Sequence, residues 1–325
     1  MILPKIGITL GDPGGVGPEV VLKAFASIHS LPKAHYILFG SREVLKQEQK
    51  NLNLVFDIPS LKSFKNEYHQ HPFLYEVDSP VHSVMRGRAL KENGEASFLY
   101  FETAVKEARA GNLQCVVTAP ISKHSWNLAG IRWAGHTDFL NHLYPKAIMF
   151  FWSDSLNVAL YTHHLPLREA LRRVKKGPLL EFLQILQGEL EKVPLPDYEL
   201  FIAGLNPHAG EEGLMGSEEG DEILPAIEAA KKKGIPISGP YPPDTVFRQA
   251  LNQPEKIVVA LYHDQGLIPF KFLAFEKGIN VTLGLPFVRT SPCHGTAFDI
   301  AGKGIANPES MFGAIGLAHK FSSAR

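Results

Sequence analysis

Short apolar runs that stop abruptly at glycine or polar breaks, each followed by helix-spaced apolar residues, recur along this chain and leave few folds open to it. The first run, Lys5–Leu10, ends in the turn GDPGGVGP, and Pro18 then opens the helical pattern PEVVLKAFASI. Proline suits a first helical turn because its missing N–H has no partner there anyway. Tyr36–Phe39 predicts a second strand, with a helix from about Ser41. Glu95–Ala110 places apolar residues at helical spacing, and Cys115–Thr118 predicts a strand that ends in TAPISKHS and a further helix. Strand and helix thus alternate over about the first 130 residues, which argues for an α/β layered fold with a mainly parallel sheet. In such sheets ligands collect at the carboxyl ends of the strands. The glycines of Gly11–Gly17 would let a backbone approach a ligand, and the following helix would offer its positive end to an anion. Pro59–Gly87 shows no periodicity and receives no assignment.

Beyond this the pattern predicts strands at Ala147–Trp152, Leu156–Tyr161, Leu200–Ala203, Ile257–Leu261 and Ile279–Leu283. Helices are expected at Arg168–Val174, Pro178–Glu191, Glu218–Lys233 and Glu309–Phe321. At 325 residues the chain is long enough for two domains. Its formal net charge of zero argues against a nucleic-acid partner, and the run Arg172, Arg173, Lys175, Lys176 reads as the solvated end of a helix. Cys115 lies in an apolar run and reads as core; Cys293 lies in a polar loop with no activating base beside it. Two cysteines form no disulfide framework, and the sequence shows neither a signal-peptide pattern nor an apolar run of membrane-spanning length. A cytoplasmic protein is the expectation.

Three constellations carry chemistry. His164, His208 and His263 each lie just past an apolar run, and three strand-end imidazoles can hold a divalent metal with positions left open for substrate. His163 and His164 are adjacent and would point opposite ways on an extended chain, so the pattern alone leaves open which one faces the site. The second set is His136-Thr137-Asp138 with Lys271, Asn280 and Arg289. Lys271 follows an apolar turn LIPF and Arg289 sits inside FVRTSP, the setting of cations that meet phosphate or carboxylate. His136-Thr137 equally fits a plain helix cap. The third is Pro292–Pro308, whose Gly295, Gly302 and Gly304, with Asp299 and Asn307, make a loop able to wrap a nucleotide.

These residues resemble a known family. HGTAFDIAGKGIANP is similar to the adenosine-binding loop of isocitrate and isopropylmalate dehydrogenases, and GDPGGVGPEV to their N-terminal glycine turn. TAPISK, GHTDFL, THHLPL, GLNPHAGE, YPPDTVF, YHDQG and VTLGLPFVRTSPCHGTA resemble the 4-hydroxythreonine-4-phosphate dehydrogenase family of vitamin B6 biosynthesis, in one order over nearly the whole chain. The resemblance implies a two-lobed α/β/α fold with a central cleft, residues 1–130 plus 285–325 forming the first lobe and 131–284 the second. It implies a homodimer with shared active sites. It implies His164, His208 and His263 as ligands of Zn2+, Mg2+ or Co2+, and His136, Thr137, Lys271, Asn280 and Arg289 as substrate contacts. His294, Gly295, Asp299 and Asn307 would bind NAD or NADP, and Asp244 and Lys271 are candidate catalytic groups.

The implied reaction oxidises a phosphorylated hydroxy amino acid, 4-phosphooxy-L-threonine, at C3 and then decarboxylates it. Asp244, Lys271 and a metal-bound water are the candidate bases. Paralogous dehydrogenases of 4-phospho-threonate or 4-phospho-erythronate are the nearest alternative. A metal-dependent hydrolase would use the same histidines but has no need of the Pro292–Pro308 loop. A sensor of metal or nucleotide has no evident use for so many converging polar groups.

Overall fold

A computed structural model of the chain describes residues 3–64, 71–81, 84–195 and 197–322. It divides into two compact units: unit 1 holds the residues up to Pro145 and from Leu285 onward, and unit 2 is Lys146–Gly284.

Unit 1 begins with β1 (Lys5–Thr9), α1 (Gly17–Ala26), β2 (His35–Gly40), α2 (Arg42–Asn51) and β3 (Phe73–Glu76). It continues through α3 (Lys91–Arg109), β4 (Cys115–Thr118), α4 (Lys123–Leu128) and α5 (His136–Leu143). β1, β2 and β4 are almost wholly buried, as strands covered on both faces must be, so they read as unbroken apolar runs. Cys115 is core, its thiol directed at the Ala318 carbonyl 3.2 Å away. β3 lies inside Pro59–Gly87, where the sequence has no alternation to show it; only Leu74 of its four residues is buried. Residues 131–145, expected with the second lobe, belong to unit 1 because α5 docks on α3: Phe139 meets Phe98 and Phe101 edge to face at 5.7 and 5.3 Å.

Unit 2 runs β5 (Ile148–Trp152), β6 (Asn157–Leu160), α6 (Leu167–Arg173), α7 (Lys176–Leu190), β7 (Glu199–Ala203), α8 (Leu224–Lys232) and β8 (Ile237–Tyr241). α9 (Val246–Ala250), β9 (Lys256–Ala260), α10 (His263–Ala274) and β10 (Ile279–Leu283) complete it. The strands lie in the order β10-β5-β6-β9-β7-β8. β5 is antiparallel to both neighbours, while β6, β9, β7 and β8 are mutually parallel. β8 is an edge strand, and edge position is where a strand tolerates Pro240. α10 replaces the turn expected at LIPF. The helix runs through Pro269, whose absent N–H leaves one helical bond unmade.

The chain then returns to unit 1 with β11 (Val288–Pro292) and α11 (Glu309–Ser322), giving that unit five parallel strands in the order β3-β2-β1-β4-β11. Among the described residues no helix is long and apolar enough to cross a membrane.

Candidate active site

Four parallel strands in unit 2 bring four sequence-predicted residues to one sheet edge. His164 follows β6, His263 opens α10 straight after β9, His208 follows β7, and Asp244 follows β8. Neighbouring strands are about 4.8 Å apart, so consecutive strand ends lie within reach of one another's side chains. Buried polar groups stitch these ends together. Thr162 Oγ1 donates to the Leu261 carbonyl at 2.7 Å. Gln265 accepts from Leu261 N and donates to the Gly204 carbonyl, both at 2.7 Å, so one amide spans the ends of β9 and β7.

The rings of His164 and His263 stand 5.6 Å apart, tilted by 34°. Both line a cavity of about 230 Å3 with Thr162, His163, Tyr262 and Asp264. His263 Nδ1 lies 2.6 Å from Asp264 Oδ1, and a carboxylate there holds the proton on Nδ1 and leaves Nε2 free as a ligand. His208 is exposed, with Nδ1 4.0 Å from Glu211 Oε2. Its backbone begins a run of six residues, His208–Gly213, all with positive φ. Left-handed backbone costs about 1–2 kcal/mol for each non-glycine residue, so the surroundings must hold this turn. Among the described residues no group of three or more His, Cys, Asp or Glu side chains is placed to hold a metal ion. The structure assembles two imidazoles directly and brings the third to the same edge by strand order. That donor chemistry fits a divalent cation of the zinc or cobalt type. Asp244 is exposed and lines a second cavity, of about 450 Å3, that shares Tyr262 and Asp264 with the first. Lys271 is exposed on α10. Asn280 lies in β10 with Oδ1 buried and no hydrogen-bond partner among the described residues, an acceptor ready for a donor.

In unit 1, Arg289 is carried into the interior by β11 and is 2 % exposed. It donates to Thr118 Oγ1 at 2.7 Å and lies 3.4 Å from His136 Nδ1. Burial pushes the Arg289 guanidinium down to about 10, which still leaves it charged at neutral pH. His136 opens α5 with its ring 4.4 Å from that of Phe101 and 5.5 Å from that of Trp126. Burial first, and Arg289 second, hold its imidazole well below the usual 6.5, so it is neutral and can accept from Arg289. Its Nε2 is buried with no partner among the described residues, and Thr137 beside it is buried. A fixed cation with neutral hydrogen-bond neighbours is chemistry that suits an anion.

The pH consequence has a definite sign. Below the ordinary histidine value the unfolded chain takes up a proton that folded His136 refuses, so stability falls as pH drops from about 6.5 toward the depressed folded value. The slope approaches about 1.4 kcal/mol per pH unit for the one proton. Denaturant melts of wild type and His136→Gln from pH 7.5 to 5 check this. The variant is expected to lose that share of the acid sensitivity, and identical slopes would refute it.

The nucleotide-type loop is held by contacts that cross the sequence. Gly15 faces Thr296, a Cβ there falling 2.8 Å from the Thr296 carbonyl oxygen, and Val16 N donates to that oxygen at 2.9 Å. Ala306 N donates to the buried Glu19 carboxylate at 2.7 Å. Lys23 bonds the same carboxylate and the carbonyls of Gly304 and Ala306. Gly14 N is taken by Asp12 Oδ1, and Asp12 N by the Pro120 carbonyl. The N-terminal glycines, expected to approach a ligand, here admit the protein's own Thr296, Asn93 and Pro120. In the loop, Gly295 is exposed with open space where a Cβ would point, and Asp299 is exposed. His294 Nε2 is buried without a partner among the described residues. Asn307 Oδ1 is engaged with Glu309 N at the start of α11, leaving its amide N–H groups to donate.

Glu19, Glu219 and Gln265 escaped the sequence reading. The only signal was a pair of acid-containing motifs on otherwise apolar helix faces, Glu19 with Lys23 at i, i+4 and the adjacent Glu218-Glu219.

Comparison with known proteins agrees with the resemblance. Residues 32–318 match the family described as "Pyridoxal phosphate biosynthetic protein PdxA". A 4-hydroxythreonine-4-phosphate dehydrogenase from Sulfurihydrogenibium sp. is 39% identical over 322 residues, covering 97% of each chain. A putative D-threonate 4-phosphate dehydrogenase from Clostridium botulinum is also 39% identical, over 324 residues, covering 98% of this chain and 97% of that one. The solved structure of a putative 4-hydroxythreonine-4-phosphate dehydrogenase from Salmonella typhimurium superposes with a TM-score of 0.84 at 34% identity, covering 98% of this chain and 99% of that one. Dehydrogenase relatives that match end to end leave the hydrolase and sensor readings without support, and the chain belongs to the PdxA family of pyridoxal phosphate biosynthetic proteins.

Proposed function

We propose that this chain oxidises 4-phosphooxy-L-threonine at C3 with NAD+ or NADP+ and releases CO2, giving 3-amino-2-oxopropyl phosphate. The supporting observation is the row His164, His263, His208 and Asp244 at the ends of adjacent parallel strands, in a chain of this family. A divalent cation held by the three histidines would supply Lewis acidity toward a hydroxyl. Arg289 binds an anionic group of the substrate, with neutral His136 and Thr137 beside it. Asn280 Oδ1 accepts from a substrate donor, and Lys271 also contacts the substrate. Asp244 or Lys271 takes the C3 hydroxyl proton as hydride passes from C3 to the nicotinamide. The bond from C2 to the carboxylate then breaks, CO2 leaves, and C2 takes up a proton. The Pro292–Pro308 loop holds the dinucleotide, with Gly295 leaving room for it, Asn307 donating, and His294 and Asp299 lining it.

The enzyme acts in the cytoplasm as a homodimer with shared active sites. The exposed Ile268, Phe272 and Phe275 on and just past α10 support a second copy covering that face. D-Threonate 4-phosphate is the second substrate reading, favoured by the 39% identity to the Clostridium botulinum relative.

The test is NAD(P)H absorbance with each substrate and each cofactor, with Mg2+, Mn2+, Co2+ or Zn2+ and in fully chelated buffer. Metal-dependent turnover of 4-phosphooxy-L-threonine is expected. Turnover of D-threonate 4-phosphate alone would transfer the assignment to that substrate, and undiminished activity in chelator would refute the metal.

A further inference from the structure

We propose that Glu219 is a positioning residue for His208, acting through the two residues that lead into it. This rests on the reading of His208 as a metal ligand. Glu219 is buried on a π-helical turn, Glu219–Ile223, that precedes α8, and such turns recur at functional sites. Its Oε1 accepts from Leu205 N and Asn206 N, both at 2.7 Å, and its Oε2 accepts from Asn206 Nδ2 at 2.9 Å. One carboxylate therefore fixes both peptide N–H groups and the side chain immediately ahead of Pro207 and His208. Pro207 has little backbone freedom of its own, so that anchorage passes on to His208.

The left-handed run starting at His208 needs such a clamp. His208, Ala209, Glu211 and Glu212 have φ of 53°, 54°, 43° and 55°, values that side-chain-bearing residues seldom adopt. The turn is also fitted to the carboxylate. A Cβ at Gly210 would lie 2.8 Å from Glu219 Oε2, and one at Gly216 would lie 2.4 Å from Asn206 Nδ2. One residue ahead of Leu205 the same lead-in is tied to α10, Gln265 donating to the Gly204 carbonyl. All three of these bonds to Glu219 come from neutral N–H donors. The carboxylate's contribution here is geometric: it holds a surface histidine at a defined place on the strand edge.

Isothermal titration of the metal-free full-length protein with Zn2+ and Co2+ tests this, with thermal melts alongside. Glu219→Gln keeps the size but sets an amide N–H against the Asn206 amide. It is expected to weaken metal binding about 10- to 100-fold, the range for residues that orient a ligand. In a His208→Ala background the same change should cost nothing further, because its effect passes through His208. Asn206→Ala, which removes the Nδ2 bonds to Glu219 and to Glu218, should weaken binding in the same direction should Glu219→Gln fail to fold. Unaltered affinity in Glu219→Gln, or an equal loss with and without His208, would overturn the positioning role. His208→Ala binding as tightly as wild type would instead overturn the ligand assignment of His208, and the inference with it.

Discussion

His263→Ala is expected to lower kcat/KM by about 10^3-fold or more in metal-supplemented buffer, while the melting curve stays near that of wild type. The size follows from losing a Lewis acid worth several kcal/mol, at 1.36 kcal/mol for each factor of ten. Stability should hold because His263 is half-exposed and opens α10, so truncation leaves no buried void. Asp264→Asn makes the milder counterpart. It keeps the shape of the 2.6 Å contact but weakens control of the proton on Nδ1, and a 10- to 100-fold loss is expected. Titration of metal-free protein with Co2+ separates the two possible causes. A His263→Ala variant that turns over normally, or that binds Co2+ as wild type does, would remove His263 from the metal site.

Legibility of this molecule in its sequence followed burial. β1, β4, β7 and β9 are interior parallel strands, and interior strands must be apolar throughout, so a run of valines and isoleucines marks them. The polar residues that end such runs are then also visible, and that is why His164, His208 and His263 stood out. β3 and β8 did not, because each sits at the edge of its unit's strands with most residues half-exposed or exposed, and β8 contains Pro240. β11 was hidden for another reason: its sequence, VRTSP, looks like a loop, and the buried Arg289 meets its partners on β4 and α5, Thr118 and His136, far along the chain. α10 was obscured by Pro269. The groups that hold the site in shape were beyond sequence pattern altogether. Glu19 binds Ala306 across 287 residues and Gln265 binds Gly204 across 61, and no local period encodes either distance.

Arg289→Met is expected to separate stability from activity, with opposite signs. Removing one partner from a buried, charge-assisted contact costs about 2–5 kcal/mol of binding, so kcat/KM should fall roughly 30-fold to several-thousand-fold. The folded protein should lose little or gain, because Met spares the desolvation of a cation that is 2 % exposed. Burial pushes Arg289 down to about 10, the direction expected for a cation held in an interior. Arg289→Lys should recover only part of the activity, since an ammonium on a different stem does not reproduce the guanidinium whose Nη2 reaches both Thr118 and His136. The neighbouring imidazole supplies an internal control. Burial is the larger cause of the depressed His136 value, so His136 should stay neutral near pH 7 in Arg289→Met, and its acid sensitivity should persist in reduced form. Melts and substrate kinetics on the same preparations decide the matter. A large loss of stability with intact kcat/KM would make Arg289 a structural residue; unchanged or raised stability with collapsed kcat/KM would identify it as a cation kept in the interior, at a cost to the fold, for the anion it binds.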